Sequence, residues 1–196
     1  MPAMSKLEAA FCSSKLWDLL AQKAILPWSL GGETLGDAHA LEVGGGDGSM
    51  AAQLLRREPR LQLTMLDIDA EMVERARRTL APFAERVNVR QGDVTALPFE
   101  DHSFDAAISF LMLHHVERWE RAVEELIRVV RPGGRLLVYD LLDAPPNRWM
   151  HQVSRSPGVR LLRRADLQAL SGGHSLTNVD VGTTAGLAFR LRAVRA

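Results

Sequence analysis

The chain has 196 residues, 46% hydrophobic and 24% charged, with 24 basic side chains against 24 acidic ones. That profile describes one soluble globular domain with room for a proper core and excludes a disordered segment, while zero net charge excludes general attraction to nucleic acid or an anionic membrane. The lone cysteine, Cys12, excludes an intramolecular disulfide and a cysteine-cluster metal site.

Residues 5–26 carry Leu7, Ala10, Phe11, Leu16, Leu19 and Leu20 at helical spacing, which predicts one or two amphipathic helices before the first strand. Lys6, Glu8, Lys15, Asp18 and Lys23 break this stretch. Neither a signal peptide nor a span of ~18 apolar residues is expected, and a cytoplasmic protein is. Pro27 to Gly36 reads as a connector.

The first strand, 38–43, delivers Glu42 to the turn Gly44-Gly45-Gly46-Asp47-Gly48. Glycines at 44, 46 and 48 let the chain leave a strand, turn sharply and start a helix (49–57) with no Cβ in the way. A plain tight turn has the same composition; the acidic residue beside it suits a ligand carrying hydroxyls or an ammonium. The second strand, 61–66, ends at Asp67, 23 positions beyond Gly44, where nucleotide-binding folds place a carboxylate that accepts from ribose hydroxyls. The helix over 70–81 follows at once, so Asp69 is read as its N-cap and Asp67 as the ribose ligand.

Further strands are predicted over 86–91, 104–110 and 135–141, with a helix over 118–130 ended by Arg131-Pro132-Gly133-Gly134. Short apolar strands alternating with helices indicate a parallel sheet covered on both faces. Past Pro145-Pro146 the pattern changes: a short helix over 164–170 stops at Gly172-Gly173, then two strands, 175–182 and 186–195, close the chain. From Arg148 onward eight Arg face two acids, Asp166 and Asp180, so that section is net +6 and the remainder net −6.

Four segments together resemble the class I S-adenosylmethionine-dependent methyltransferases: LEVGGGDGS, LDIDAEMVERAR, QGDVTALPFEDHSFDAAISFLMLHHV and RVVRPGGRLLVYD. The third is the most specific, and within the class the chain is most similar to the small methyltransferase type 11 group, which includes quinone and small-metabolite enzymes. The resemblance implies a Rossmann-like, seven-stranded, mostly parallel sheet with an antiparallel last strand, helices on both faces and an N-terminal helical extension or lid over 1–36. The cofactor-binding methyltransferase domain is then 37–196. It implies S-adenosyl-L-methionine as cofactor, with its methionine end on Gly44, Gly45, Gly46 and Gly48 and its ammonium near Glu42. Asp67 would take the ribose hydroxyls and Ile68 would pack on the adenine. Asp93 would accept from the adenine amino group, the Val94 backbone would read the ring edge, and the Phe110 backbone would meet the methionine moiety. Methyl transfer then needs mainly an acceptor held in line behind the sulfonium methyl.

His114 and His115 lie after the fourth strand, at the edge where ligands of open α/β sheets bind, and are candidates for a general base. Packing against the next helix is the other reading. Asp140 and Asp143 follow the fifth strand, where hydration or capping competes with a metal role; no metal site is expected. Arg148, Arg155, Arg160, Arg163 and Arg164 either steer an anionic acceptor or form a solvated loop, and Trp17, Trp28 and Trp149 either wall an apolar pocket or join the core. The acceptor is expected to be a small molecule, with no nucleic-acid or membrane partner. Two alternatives stay open: a catalytically silent cofactor-binding protein, and an NAD-dependent oxidoreductase, whose third glycine would fall on Ser49.

Overall fold

The structure, a computed structural model, describes residues 19, 21–154, 158–167 and 175–196. Seven strands form one sheet: β1 (His39–Val43), β2 (Gln62–Asp67), β3 (Val87–Gln91), β4 (Phe104–Phe110), β5 (Val130–Leu141), β6 (Leu176–Thr184) and β7 (Ala188–Arg195). Their order is β3-β2-β1-β4-β5-β7-β6, with β1 to β5 mutually parallel and β7 antiparallel to both neighbours. The seven-stranded, mostly parallel sheet is therefore the one expected. Winding runs outward in opposite directions from β1 and β4, so their carboxyl ends flank the crevice in which open α/β sheets hold ligands.

Among the described residues the sheet is accompanied by α1 (Leu26–Leu30), α2 (Ser49–Arg57), α3 (Ala70–Leu80), α4 (Trp119–Val129) and α5 (Pro145–Ser154). Strand alternation sorts the apolar side chains into two cores. Leu41, Val43, Ala107, Leu136 and Val138 pack with Val123, Leu126 and Ile127 of α4. Ala40, Leu63, Met65, Ile108 and Leu137 pack with Leu26 and Leu30 of α1, Leu54 and Leu55 of α2, and Ala76 and Leu80 of α3. Burial of this apolar surface on both faces is what stabilises the parallel strands.

Local chemistry sets several boundaries as read. Asp69 caps α3, its side chain accepting the backbone N–H of Glu71 at 2.8 Å and of Met72 at 3.3 Å. The predicted helices over 49–57, 70–81 and 118–130 agree with α2, α3 and α4 to within one residue.

Elsewhere the structure differs. Pro27 does not open a connector: it stands in the first turn of α1, preceded by a π-helical turn at Ala21–Ile25. A proline is tolerated there because a first-turn N–H has no intrahelical acceptor. The strand expected over 135–141 begins at Val130, with a register irregularity between Phe104 and Ala106 of its neighbour absorbing the Pro-Gly-Gly run. The stretch after Asp143 forms α5, again with prolines at its start. Residues 164–167 are helical, and the rest of the helix expected over 164–170 lies outside the described residues, as do most of residues 5–26 with Cys12 and Trp17.

An ionic cluster fixes the segment after β3. Arg128 bonds Glu125 at 2.8 Å, Asp101 at 2.7 Å and the carbonyls of Phe99 at 2.9 Å and Leu97 at 3.2 Å, while Glu125 accepts the Leu97 N–H at 2.9 Å. The Arg128 guanidinium holds the Glu125 carboxyl below the usual range, although the side chain is buried. The loop running from Asp93 to Asp101 is thereby tied to α4. Among the described residues no helix is long and apolar enough to cross a membrane.

Candidate cofactor and acceptor site

At the carboxyl end of β1 the chain turns through left-handed backbone at Gly44 (φ 65°) and Gly46 (φ 56°) before α2 begins. The two glycines serve different purposes. A Cβ on Gly44 would lie 2.0 Å from Cγ of Met112, so the loop after β4 rests directly on the turn. A Cβ on Gly46 would meet nothing within 4 Å, which leaves the backbone face there open to a ligand.

Two carboxylates border that open face. Asp67 accepts the Gly46 N–H at 2.8 Å on one oxygen and the Asp69 N–H at 2.9 Å on the other, locking the end of β2 to the turn. Burial raises its pKa despite these two donors. Glu42 is 1% exposed, and its Oε2 has no hydrogen-bond partner. Burial first, and the nearby Asp67 charge second, push the Glu42 carboxyl up to about 8. A buried, unpartnered carboxyl oxygen carries a desolvation cost that a cationic or donor-bearing ligand would offset. The pair beside an open backbone face therefore fits a ligand with hydroxyls and an ammonium.

The expected adenine side lies next to it. Ile68 is half-buried, its carbonyl bonded by the Gln91 side chain at 3.1 Å. Asp93 caps the 3₁₀ turn Val94–Ala96, its Oδ1 accepting the Thr95 N–H and hydroxyl, both at 2.8 Å, while Val94 is buried. The turn-forming role of Asp93 is thus present in the fold itself.

Beyond Phe110 the chain passes through Leu111 at φ 53°, a strained conformation for leucine, pinned by its N–H to the Tyr139 carbonyl at 2.7 Å. That reversal puts Met112 on Gly44 and delivers the 3₁₀ turn Leu113–His115 over the end of β5. There His114, 3% exposed, places Nδ1 2.5 Å from Oδ1 of the fully buried Asp140. Asp140 also accepts the backbone N–H of Leu141 at 2.6 Å and of His114 at 3.3 Å. The His115 ring stacks 4.1 Å from His114, and His151 of α5 lies 5.1 Å away on the same ring.

The sequence did not single out His151, nor the pairing of Asp140. One signal was available: Asn147 and His151 are four apart on a segment opened by prolines, hence on one helix face. Asn147 donates to the carbonyls of Leu142 and Leu187, both at 2.7 Å, and so turns that face inward.

The hydration or capping reading of the two aspartates is corrected. Asp140 binds a histidine, and Asp143 forms a two-pronged pair with Arg148 at 2.5 and 2.8 Å. Arg160 pairs with Glu120 at 2.8 Å and Arg163 with Asp166 at 3.5 Å; Arg155 lies outside the described residues. Trp149 is 67% exposed rather than walling a pocket, and Trp28 packs edge-on against Tyr139 at 5.8 Å. Among the described residues no group of three or more His, Cys, Asp or Glu could hold a metal ion.

Residues 41–138 match the family model described as "Methyltransferase domain". The chain is 37% identical over 107 residues to the ubiquinone/menaquinone biosynthesis C-methyltransferase UbiE of Dinoroseobacter shibae, covering 54% of this chain and 43% of that relative. The matched region thus spans under half the length of that curated relative. Among solved structures, the YcgJ protein of Bacillus subtilis superposes with a TM-score of 0.71 at 19% identity, covering 86% of this chain and 96% of that one. The CurJ carbon methyltransferase gives 0.75 at 18% identity, covering 96% and 57%. These two likenesses are likenesses of fold.

Proposed function

The chain belongs to the methyltransferase domain family, and from that premise we propose that it binds S-adenosyl-L-methionine in the crevice between β1 and β4 and transfers its methyl group to a small-molecule acceptor. The observation that carries this reading is Glu42, buried with an unpartnered oxygen beside an open glycine backbone and the Asp67 carboxylate.

Each residue has a definite share. Glu42 faces the ammonium. The backbone from Gly44 to Gly48 lies along the methionine portion, and Phe110 contributes main-chain groups from across the crevice. Asp67, anchored by two backbone donors, keeps its remaining lone pairs for ribose hydroxyls. Ile68 packs on the adenine, Asp93 accepts from its amino group, and the Val94 backbone reads its edge. When bound, the cofactor supplies a methyl group carried on a positive sulfur, so the protein contributes chiefly orientation. Such positioning accounts for roughly 7–11 kcal/mol in well-aligned systems.

The relative's name, a quinone-biosynthesis C-methyltransferase, supports a carbon acceptor on an apolar ring. The ion pairs already formed by Arg148, Arg160 and Arg163 favour that over steering of a free anion. A cytoplasmic setting belongs to the same reading.

Titration calorimetry tests the cofactor half: one equivalent of S-adenosylhomocysteine binds and NAD does not. Uptake of NAD instead, or of neither, would reject it. Methyl-release assays over a metabolite panel then separate an enzyme from a silent binder.

A further inference from the structure

Helix α5 is packed inside out. A surface helix ordinarily buries its apolar stripe and turns polar side chains to water. Here the buried side chains are Asn147 and His151, whereas Trp149 is 67% exposed, Met150 40% and Val153 56%. Residues 149 and 153 stand four apart and 150 and 153 three apart, so the three adjoin on one face. Among the described residues six large apolar side chains are exposed, and half of them stand on this helix. A fourth, Leu187 at 38%, sits beside it, its carbonyl accepting from the Asn147 side chain at 2.7 Å. Single exposed apolar residues are ordinary, but a contiguous group marks a surface that something covers.

The charge around the patch selects the cover. Over residues 143–167 five Arg stand against two Asp, a local excess of +3 in a chain of zero net charge. Arg148 precedes Trp149 and is held by Asp143 at 2.5 and 2.8 Å. Arg164 is exposed and forms no ion pair among the described residues, and its guanidinium lies next to Gly186, the neighbour of Leu187. A second copy of the chain would set this positive rim against itself across a two-fold axis. Anionic lipid suits both parts of the surface: headgroups meet the guanidinium groups, and the tryptophan ring and aliphatic side chains enter the boundary between headgroups and acyl chains. No described helix is long and apolar enough to cross a bilayer, so the contact is with its surface.

We propose that the outer face of α5 docks this protein on the surface of an anionic lipid bilayer, with Trp149, Met150 and Val153 as the inserted side chains and the surrounding Arg as the electrostatic partners. The expectation of no membrane partner rested on overall neutrality, which does not describe this local excess. The docked helix carries His151 on its other side, 5.1 Å from the His114 ring, so the bilayer meets the protein at the β4–β5 end of the crevice. The inference goes beyond the methyltransferase reading and stands independently of it.

The test is co-sedimentation of the full chain with vesicles of phosphatidylcholine, alone or with about a quarter phosphatidylglycerol. Binding is expected to be at least about tenfold tighter to the anionic vesicles and to weaken as salt is added. Trp149→Ser combined with Val153→Ser should lower that affinity about tenfold or more, and Arg164→Gln about fivefold. Tryptophan emission of the wild type should shift to shorter wavelength on binding. Trp149→Phe, which keeps an apolar ring, should still bind while losing most of that shift. All these side chains are exposed, so unchanged thermal unfolding of each variant is the check that a lost contact is not a lost fold. Absence of binding to the anionic vesicles, or binding that the double variant retains in full, overturns the proposal. So does a dimer in sedimentation equilibrium that the double variant dissolves, because the occupant of this face is then a second copy.

Discussion

Replacing Glu42 with Gln isolates the most unusual group in the molecule. The folded carboxyl titrates near 8 against an ordinary 4.5, because it is buried and faces Asp67. Between those values the folded protein holds a proton that the unfolded chain has released, so stability falls as pH rises. The slope is about 1.4 kcal/mol per pH unit, which amounts to about 3 kcal/mol lost by pH 7 relative to pH 4.5. Below the ordinary value the full contribution is present; above about 8 it is gone. Glu42→Gln carries no proton to lose, so its stability relative to wild type should climb by that slope across the window. Urea denaturation at half-unit steps from pH 4.5 to 8.5 measures the gap. A gap that stays constant with pH would refute the reasoning, whatever its size. The same substitution should weaken S-adenosylhomocysteine binding about ten- to hundred-fold, the loss of one charge-assisted hydrogen bond of about 1.5–3 kcal/mol. Calorimetry in buffers of different ionisation enthalpy should show proton release on binding at pH 7 for wild type and none for the variant.

Gly44→Ala and Gly46→Ala should part company, since a methyl on Gly44 collides with Met112 and one on Gly46 enters open space. Thermal unfolding should show the first losing several kcal/mol and the second about 1 kcal/mol for its left-handed backbone, while calorimetry shows Gly46→Ala losing cofactor affinity. Asp67→Ala strands the N–H groups of Gly46 and Asp69 and should cost about 1–3 kcal/mol in chemical denaturation, with loss of nucleoside binding. Asp69→Ala removes only the α3 cap; about 1 kcal/mol of stability should go while cofactor affinity holds.

What could be read from the sequence was what local chemistry decides. The elbow, the Asp69 cap and the rhythm of strands and helices depend on neighbours a few residues apart, and the fold followed them closely. The misses share the opposite cause. Pro145-Pro146 read as an interruption because proline ends helices far more visibly than it begins them, so α5 and its inward Asn147 and His151 went unseen. Asp140 read as a solvated carboxylate because its partner, His114, lies 26 residues away and meets it only once β4 and β5 pair. Asp93 is a mixed case: its capping role was legible, whereas any role toward adenine depends on a ligand.

The two sides of the crevice come from different stretches of the chain. Glu42 and Asp67 stand near the ends of β1 and β2, and the glycine elbow and Asp93 on the loops after β1 and β3, while His114, Asp140 and His151 stand after β4, on β5 and on α5. Met112 resting on Gly44 is a seam between them. Substitutions past residue 111 can therefore reshape the second bank while Glu42, the glycine elbow and Asp67 keep their places, so long as Met112 still seats on Gly44.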